Sequence, residues 1–325
     1  MTRARTIYAL LILACVLVFT ACKKASPTTV GGATKLRVQL NWVPEPEFGG
    51  LYAARDGGAY KKAGLEVEIV GGGPSSPVVQ LVAAGKADFG IAAAEDVVIA
   101  RARDADVVAL FATFQTSPQG IMVHAARGLK SLEDLSSGTL ALETGAPVGA
   151  YLKKKFGFAG VTLVPNDGGV AKFLIDQNYA QQCYVTSEPL AATERGGDPQ
   201  VFLAADAGFD PYANVVITRG SMLRDDLPRV RAFVAATAEG WRAYLADPTA
   251  ANAAMAKLNS AMPPSTFAAV AAAQRPLVET RETKARGLGT MEEARWTTLC
   301  QQLADLGVIS AAPKATDCFT LSALP

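Results

Sequence analysis

The sequence contains a single histidine, His124, and none of its five cysteines stands in a Cys-x-x-Cys pair. These shortages exclude histidine-rich metal sites and the zinc and redox motifs that use paired cysteines. A Ser–His or Cys–His catalytic pair would depend on His124 alone. The sequence therefore predicts no metal ion, no cofactor and no catalytic residues.

An excess of one charge is also missing, because 31 basic side chains are balanced by 30 acidic ones. Proteins that bind nucleic acid or an anionic membrane surface carry a surplus of Lys and Arg, so the composition excludes both partners. Only 7% of the residues are aromatic, but 50% of the 325 residues are hydrophobic. Such a chain is too apolar to be disordered, and it is long enough for one large or two medium globular units.

The N-terminus has the pattern of an export signal. Two arginines precede an apolar run from Ile7 to Phe19, which at about 15 residues is shorter than the ~20 that cross a bilayer. The four residues that end at Cys22, Phe-Thr-Ala-Cys, resemble the lipobox of bacterial lipoproteins. We predict a signal peptide at residues 1–21, lipidation of Cys22 and a polar tether at residues 22–34. The alternative is ordinary secretion after a nearby cleavage, and both place the protein outside the cytoplasm.

Three cysteines remain after such a cleavage, in an oxidising compartment. Cys183 lies in an apolar run that is typical of a buried strand, whereas Cys300 and Cys318 are close together near the C-terminus. We predict a disulfide between Cys300 and Cys318 and an unpaired, buried Cys183.

Short β-rich runs alternate with helical patterns from Lys35 onward. This alternation is typical of βαβ units around a parallel sheet. The rhythm restarts after Pro118, which predicts a second α/β lobe, and the chain becomes mostly helical after Tyr212. Apolar residues at i, i+3, i+4 and i+7 between Leu227 and Leu245 predict an amphipathic helix that packs on a core.

Two glutamates take equivalent places in the two lobes. A shift of 93 residues aligns an apolar helix, a small turn, a buried strand and then a Glu in each half, and it sets Glu95 over Glu188. Each would stand where a strand ends and the next helix begins, which is where open α/β sheets bind their ligands. We therefore expect both glutamates in a cleft.

Several segments, by their order and spacing, resemble the extracellular solute-binding proteins of ABC importers. They are Asn41-Trp42-Val43-Pro44-Glu45-Pro46, Gly50-Leu51-Tyr52-Ala53-Ala54, Gly64-Leu65-Glu66-Val67, Gly85-Lys86-Ala87-Asp88-Phe89-Gly90, Thr186-Ser187-Glu188-Pro189 and Asn214-Val215-Val216-Ile217-Thr218. The likeness is strongest to the group that includes binders of thiamine pyrimidine precursors. It is more distant to binders of nitrate, sulfonates and taurine.

That resemblance implies an α/β fold of the type II periplasmic-binding class, in which two lobes close on a ligand cleft by hinge motion. Lobe I would comprise residues 35–116 and 213–325, and lobe II residues 117–212, with crossovers near residues 115–120 and 206–213. It also implies a monomer that delivers a small molecule to an ABC permease and its ATPase. Such a protein contacts the membrane only through its lipid anchor, in the periplasm or on the outer face of the bacterial cell membrane.

The same pattern is similar to fungal hydroxymethylpyrimidine phosphate synthase, an enzyme that consumes a histidine and a lysine of its own chain. Matching its segment to residues 90–96 puts Ala92 in place of the lysine and Asp96 in place of the histidine, and the motif CCCFC is absent. A methyl group and a carboxylate cannot supply the atoms that an amine and an imidazole give up. We therefore expect a binding protein rather than an enzyme.

Polar and aromatic residues at the predicted strand ends form the candidate site. Lobe I would contribute Asn41, Trp42, Glu47, Phe48, Tyr52, Ser75, Ser76, Glu95 and Asp96, and lobe II would contribute Glu143, Thr144, Tyr184 and Glu188. We expect Trp42 and Tyr52 to sandwich a planar ring. We expect His124 at the surface or at a hinge rather than at the ligand.

The chemistry of these positions favours one class of ligand. A sulfonate or nitrate needs Arg, Lys or backbone donors, whereas the candidate positions are acidic and aromatic. They suit ring nitrogens and amino groups, as in an aminopyrimidine, and a flavin-like solute would satisfy them too. Helix N-termini after Ser76 and Gly145 keep an anion as a further alternative.

Overall fold

The computed structural model describes residues 33–325, which fold around two five-stranded sheets. The predicted signal peptide at residues 1–21, the lipidation at Cys22 and nearly all of the tether at residues 22–34 lie outside the described residues. Within residues 33–325, no helix is both long enough and apolar enough to cross a membrane.

Ten strands form within the described residues, mainly from runs rich in β-branched and other apolar residues. They are β1 (Thr34–Gln39), β2 (Leu65–Val70), β3 (Phe89–Ala92), β4 (Val107–Phe114), β5 (Gln119–His124), β6 (Gly138–Leu142), β7 (Val161–Pro165), β8 (Tyr179–Tyr184), β9 (Pro199–Leu203) and β10 (Ala213–Arg219).

Thirteen α-helices of the described residues connect and cover these strands. They are α1 (Gly49–Asp56), α2 (Ala59–Lys62), α3 (Val78–Ala83), α4 (Ala94–Arg101), α5 (Pro147–Phe156), α6 (Ala171–Ile175), α7 (Glu188–Glu194), α8 (Gly220–Ala246), α9 (Thr249–Ala256), α10 (Pro264–Val278), α11 (Arg281–Arg286), α12 (Glu293–Asp305) and α13 (Ala315–Cys318).

The two sheets have the same topology. The first has the strand order β2-β1-β3-β10-β4, with β1 parallel to β2 and β3 and with β10 antiparallel to both of its neighbours. The second has the order β7-β6-β8-β5-β9, with β6 parallel to β7 and β8 and with β5 antiparallel to both of its neighbours. The predicted α/β class with two lobes is confirmed.

Each predicted parallel sheet also contains one antiparallel strand. That strand, β5 or β10, is the first one formed after the chain crosses from the other sheet. The crossover enters the new sheet at the edge where the parallel strands end, so the incoming strand must run in the opposite direction.

The chain passes between the sheets twice, over residues 115–118 and 204–212. The strands of the first sheet lie before the first passage and after the second. The lobe boundaries, 35–116 with 213–325 and 117–212, stay a prediction.

The predicted amphipathic helix packs on the sheet of lobe I as part of α8. The Phe233 ring stacks on the Phe89 ring of β3 at a centroid distance of 3.8 Å, and Trp241 is 1% exposed. The helix begins earlier than predicted, and its backbone is non-helical at Asp226, just before Pro228.

Glycines bring α1 and α8 into close contact. A Cβ at Gly50 would overlap the Trp241 ring, and a Cβ at Gly240 would overlap the backbone oxygen of Gly50. This contact fixes the position of α1, and with it the turn Pro46–Phe48 that precedes the helix.

Strand β4 lies at the edge of its sheet but is buried along its whole length. The Thr320 amide donates to the Ala109 carbonyl at 2.9 Å, and the Ala112 amide donates to the Gly289 carbonyl at 3.1 Å. Residues near the C-terminus therefore cover an edge that would otherwise expose unpaired backbone groups.

The three cysteines of the described residues are buried free thiols. Cys183 is buried on β8, which confirms that part of the prediction. The side chains of Cys300 and Cys318 are in hydrogen-bond contact. The structure thus holds the two predicted disulfide partners side by side as thiols, and the disulfide stays a prediction.

The expectation that His124 lies at the surface or at a hinge is wrong. Its side chain is 1% exposed and its ring stacks on Phe173 at a centroid distance of 4.0 Å. Nδ1 lies 2.7 Å from an oxygen of Asp198, and Nε2 lies 2.7 Å from the Phe173 carbonyl oxygen. An imidazole can be buried when both nitrogens have partners, and these partners come from distant parts of the sequence.

Candidate ligand-binding cleft

A cavity of about 550 Å³ lies between the lobes, where β1, β6 and β8 end. Side chains that follow parallel strands converge at such an edge. The cavity brings together seven of the predicted site residues, which are Asn41, Trp42, Ser75, Ser76, Glu143, Tyr184 and Glu188. Their role as ligand contacts remains a prediction.

The loop after β1 presents Trp42 to this cavity. The Gly72 amide donates to the Trp42 carbonyl at 2.8 Å, and the Gln39 side chain donates to the Gly71 carbonyl at 3.1 Å. These bonds tie the loop to the end of β2, while the Trp42 side chain remains 39% exposed. An exposed indole that lines a cavity is a surface on which a planar ligand can stack.

Amide donors hold the lobe II carboxylates in place. Glu188, at the start of α7, accepts a hydrogen bond from the Tyr184 amide at 2.8 Å. Glu143 accepts from the Gln182 side chain at 3.3 Å, and the side-chain oxygen Oε1 of Gln182 accepts from the Glu143 backbone amide at 3.1 Å. Neutral donors fix the direction of both carboxylates without cancelling their charge.

The segment before α1 adds two carboxylates from lobe I. Glu47 accepts a hydrogen bond from Asn214 Nδ2 at 2.9 Å. Asn214 is 4% exposed and has a φ of 51°, a left-handed conformation that Asn tolerates better than most residues. Glu45 lies close enough to Glu47 and Glu188 to be repelled by both.

Two more carboxylates begin α4. Glu95 is 4% exposed; its Oε1 accepts from the Gln119 side chain at 3.3 Å, and its Oε2 has no partner among the described residues. Asp96 lines a second cavity of about 500 Å³, which also touches Asn41 and Ser75 and runs between α3 and α4.

Burial disfavours ionisation of these carboxyl groups. It raises the pKa of Glu45 to about 9, and repulsion from Glu47 and Glu188 acts in the same direction. It also raises the pKa of Glu47 to about 7, against the effect of the Asn214 hydrogen bond, and that of Glu95 to about 7. An ordinary Glu has a pKa of about 4.3.

The Tyr184 phenol lies among carboxylates of both lobes. Burial raises its pKa well above the usual range, and repulsion from Glu95, Glu47, Glu143 and Asp96 adds to the shift. The Tyr184 phenol is therefore repelled by four carboxylates from three separate segments, which places these segments around a common space.

The predicted sandwich of a ligand between Trp42 and Tyr52 is wrong. Tyr52 is 0% exposed and Phe48 is 1% exposed, and both belong to the core of lobe I. The Arg55 guanidinium lies 4.6 Å from the centre of the Tyr52 ring. Tyr184 is the aromatic residue that shares the cavity with Trp42.

Thr144 lies in a different depression from the other predicted residues. It lines a hollow of about 270 Å³ at the start of α5, together with Gly145, Glu143 and Lys153. Glu143 borders both this hollow and the main cavity, whereas Thr144, the next residue along the chain, borders the hollow alone.

Several residues of the site were not predicted from the sequence. Glu45 lay within the segment that carried the family resemblance, and this was a signal that could have identified it. Asn166, Asp167 and Gln182 also line the cavity. Asn166 and Asp167 directly follow β7, so the end of that strand was a signal that could have identified them, whereas Gln182 lies within β8. Asn166 donates to the Gln182 carbonyl at 3.0 Å.

The sequence model of the family described as NMT1/THI5 like matches residues 45–251, well over half of the chain. This segment includes the whole of lobe II as proposed and the strands of lobe I from β2 onward.

Two curated proteins are similar over most of the chain. The formylaminopyrimidine-binding protein of Halalkalibacterium halodurans is 24% identical over 255 residues, which cover 73% of this chain and 74% of the relative. The 4-amino-5-hydroxymethyl-2-methylpyrimidine phosphate synthase THI11 of Saccharomyces cerevisiae is 26% identical over 235 residues, which cover 67% of this chain and 69% of the relative.

Solved structures share the fold. The periplasmic aliphatic sulphonate binding protein SsuA of Escherichia coli superposes with a TM-score of 0.65 at 14% identity, over 87% of this chain and 91% of that protein. At this identity the likeness shows the periplasmic-binding fold alone, which confirms the predicted fold class.

Proposed function

The chain belongs to the NMT1/THI5-like family, and from this premise we propose that it is the solute-binding component of an ABC importer. The two-lobed fold with a cavity between the sheets supports a role in capturing a small molecule. The protein would act as a monomer and deliver its ligand to a permease that an ATPase drives.

The proposal includes a position outside the cytoplasm. Residues 1–21 would direct export, Cys22 would carry lipid, and residues 22–34 would tether the lobes to the outer face of the cell membrane or within the periplasm. Lobe I would comprise residues 35–116 and 213–325, and lobe II residues 117–212.

The ligand that suits the cleft best is a small heteroaromatic solute with amino groups, of the aminopyrimidine type. The observation that carries this proposal is the exposed indole of Trp42, which shares one cavity with the carboxylates of Glu143 and Glu188. A planar ring would stack on the indole, and its amino groups would donate to the carboxylates. The name of the relative from Halalkalibacterium halodurans supports this class of ligand.

Anionic solutes fit the cleft poorly. Among the described residues that line the main cavity there is no Lys, Arg or His. A nitrate or a sulfonate such as taurine would be buried beside carboxylates, without the basic partners that offset its desolvation. A flavin-like solute is also a planar heteroaromatic that would satisfy these residues, so riboflavin is among the ligands tested.

A pyrimidine synthase activity is the alternative from another functional class, since the relative from Saccharomyces cerevisiae is named as a synthase. Ala92 and Asp96 stand where that enzyme is expected to have its lysine and histidine. His124, the one histidine of the sequence, ends β5, the strand whose first residue, Gln119, contacts the acidic side of the cleft. Five residues of strand span about 17 Å, so His124 is remote from this site.

Calorimetry on the mature protein tests the proposal. The ligands are hydroxymethylpyrimidine, its formylamino precursor, riboflavin, taurine and nitrate. We expect micromolar or tighter binding of a pyrimidine, accompanied by a change in intrinsic fluorescence. Trp42 would report that change, because Trp241 and Trp296 are each 1% exposed.

The variant Trp42→Ala should weaken pyrimidine binding about tenfold or more, since it removes the stacking surface. Leu258→Ala, at a residue that is 60% exposed, is the matched control and should leave the affinity unchanged. Tight binding of taurine or nitrate with no response to the heterocycles would contradict the proposal.

A further inference from the structure

Six carboxyl groups from both lobes form one cluster around the cleft. We call them the acidic cluster, and they are Glu45, Glu47, Glu95, Asp96, Glu143 and Glu188. Mutual repulsion links Glu45 to Glu47 and Glu188, and it links Glu143 to Asp96 and Glu188.

The carboxyl groups of this cluster have no salt-bridge partner among the described residues. Within residues 33–325, none of its members takes part in a salt bridge, and its hydrogen bonds come from the neutral amides described above. Lys172 bonds to Asp167 of the cavity lining at 2.9 Å. Arg103 lines the same cavity as Asp96, and Lys153 lines the same hollow as Glu143, but neither forms a salt bridge with the cluster. The phenol of Tyr184 and the thiol of Cys183 also face it.

A separate observation points to a missing positive partner. Glu95 is 4% exposed and its Oε2 has no hydrogen-bond donor among the described residues. Glu95 is also the strongest source of repulsion at Tyr184, which lines the main cavity. A buried carboxylate oxygen without a donor is unfavourable unless a cationic or donor group reaches it.

We propose that the ligand carries a positive charge and that it displaces protons from the acidic cluster. The charge would be a protonated amine or an amidinium attached to the heteroaromatic ring, or a quaternary nitrogen within a ring. This inference rests on the proposed function and narrows its class of ligand. On binding, the cation enters the cleft and the displaced protons pass to solvent, so charge is conserved.

The direction of the pH dependence follows from the ionisation of the empty cleft. Burial raises the pKa of Glu45 to about 9 and those of Glu47 and Glu95 to about 7, so the empty cleft retains protons at neutral pH. A rise in pH removes these protons and strengthens the attraction for a cation. The affinity for a cationic ligand therefore increases between pH 6 and pH 8.

Two pyrimidines that differ in one group provide the test. In 4-amino-5-aminomethyl-2-methylpyrimidine the side arm is a protonated amine, and in 4-amino-5-hydroxymethyl-2-methylpyrimidine it is a neutral hydroxyl. Calorimetry on the mature protein at pH 8 should give at least tenfold tighter binding of the aminomethyl compound. The binding enthalpies of the aminomethyl compound in Tris and in phosphate buffer should differ, because the two buffers take up the released protons with different heats.

Carboxylate variants locate the effect in the cluster. Glu45→Gln and Glu188→Gln should each reduce the preference for the aminomethyl compound severalfold, and the ratio of two affinities within one variant is independent of the fraction folded. Glu68→Gln, at an exposed position on β2, is the matched control and should keep the full preference.

The outcomes separate this inference from the proposed function. Equal affinity for both pyrimidines, or no release of protons, overturns the cationic ligand and leaves the pyrimidine proposal in place. Benzamidine, an aromatic amidinium without a pyrimidine ring, is the third compound in the test. If it binds and neither pyrimidine does, the cationic ligand is supported and the pyrimidine proposal is overturned. Binding of none of the three overturns both.

Discussion

At the scale of single residues, the cleft places side chains where their ionisation opposes folding. Glu95 is the clearest example, since burial raises its pKa to about 7 from the usual value near 4.3. Below about pH 4.3 the Glu95 carboxyl is protonated in both the folded and the unfolded state, so its ionisation does not change the free energy of unfolding. Between about pH 4.3 and pH 7 the unfolded state ionises while the folded state stays protonated, so stability is lost over this range and falls no further above it.

Glu95→Gln should therefore stabilise the empty protein at pH 8. The gain should be roughly 3 kcal/mol at pH 8 and should shrink toward zero near pH 4, as measured by urea unfolding at both pH values. The amide oxygen of the new side chain can still accept the hydrogen bond from Gln119. Glu68→Gln serves as the exposed control, and an equal gain at both pH values would contradict the ionisation argument.

At the scale of elements, the contact between α1 and α8 sets the position of the acidic turn Pro46–Phe48. The two helices can approach closely because Gly50 and Gly240 carry no side chain at the contact. A Cβ at Gly240 would overlap backbone atoms, which cannot move aside as the end of a side chain can.

Gly240→Ala should destabilise the protein by about 1–3 kcal/mol or more, although Ala is the better helix former. Thermal unfolding measures this loss. At Gly73 a Cβ would meet nothing within 4 Å, so Gly73→Ala is the control and should change stability little. A stabilised Gly240→Ala protein would show that the helices can separate without cost.

At the scale of the whole molecule, Arg295 of α12 joins the two passages between the lobes. Its guanidinium donates to the carbonyls of Gln115 and Asp210, pairs with the Asp210 carboxylate at 2.9 Å and lies 4.0 Å from the centre of the Tyr212 ring. The Ser117 amide donates to the same Asp210 carboxylate at 2.8 Å. A hinge motion of the lobes must act on these two passages.

Arg295→Ala should release the two passages and widen the range of lobe orientations. We expect a larger radius of gyration for the empty protein in X-ray scattering, and a severalfold weaker affinity because fewer molecules hold the binding arrangement. Arg281→Ala, at an exposed position at the start of α11, should change neither quantity. Unchanged scattering and affinity in Arg295→Ala would mean that the hinge is set elsewhere.

The sequence by itself determined the class of fold and the strand-end part of the site. The alternation of apolar strands with amphipathic helices is a local property, and so is the position at which a strand ends and a helix begins. Asn41, Trp42, Glu143 and Glu188 could be predicted for this reason, since the ends of parallel strands meet at one edge whatever the rest of the chain does.

Only the tertiary structure decided which faces are buried and which distant groups meet. A helix pattern shows that a face is apolar, but only the packed structure shows that Tyr52 is 0% exposed within the core of lobe I. His124 is buried because Asp198 and the Phe173 carbonyl satisfy its nitrogens, and Glu45 joins the cleft because the glycine contact holds its turn there. Strand direction in β5 and β10 depends on where each crossover enters, and that is a property of both lobes together.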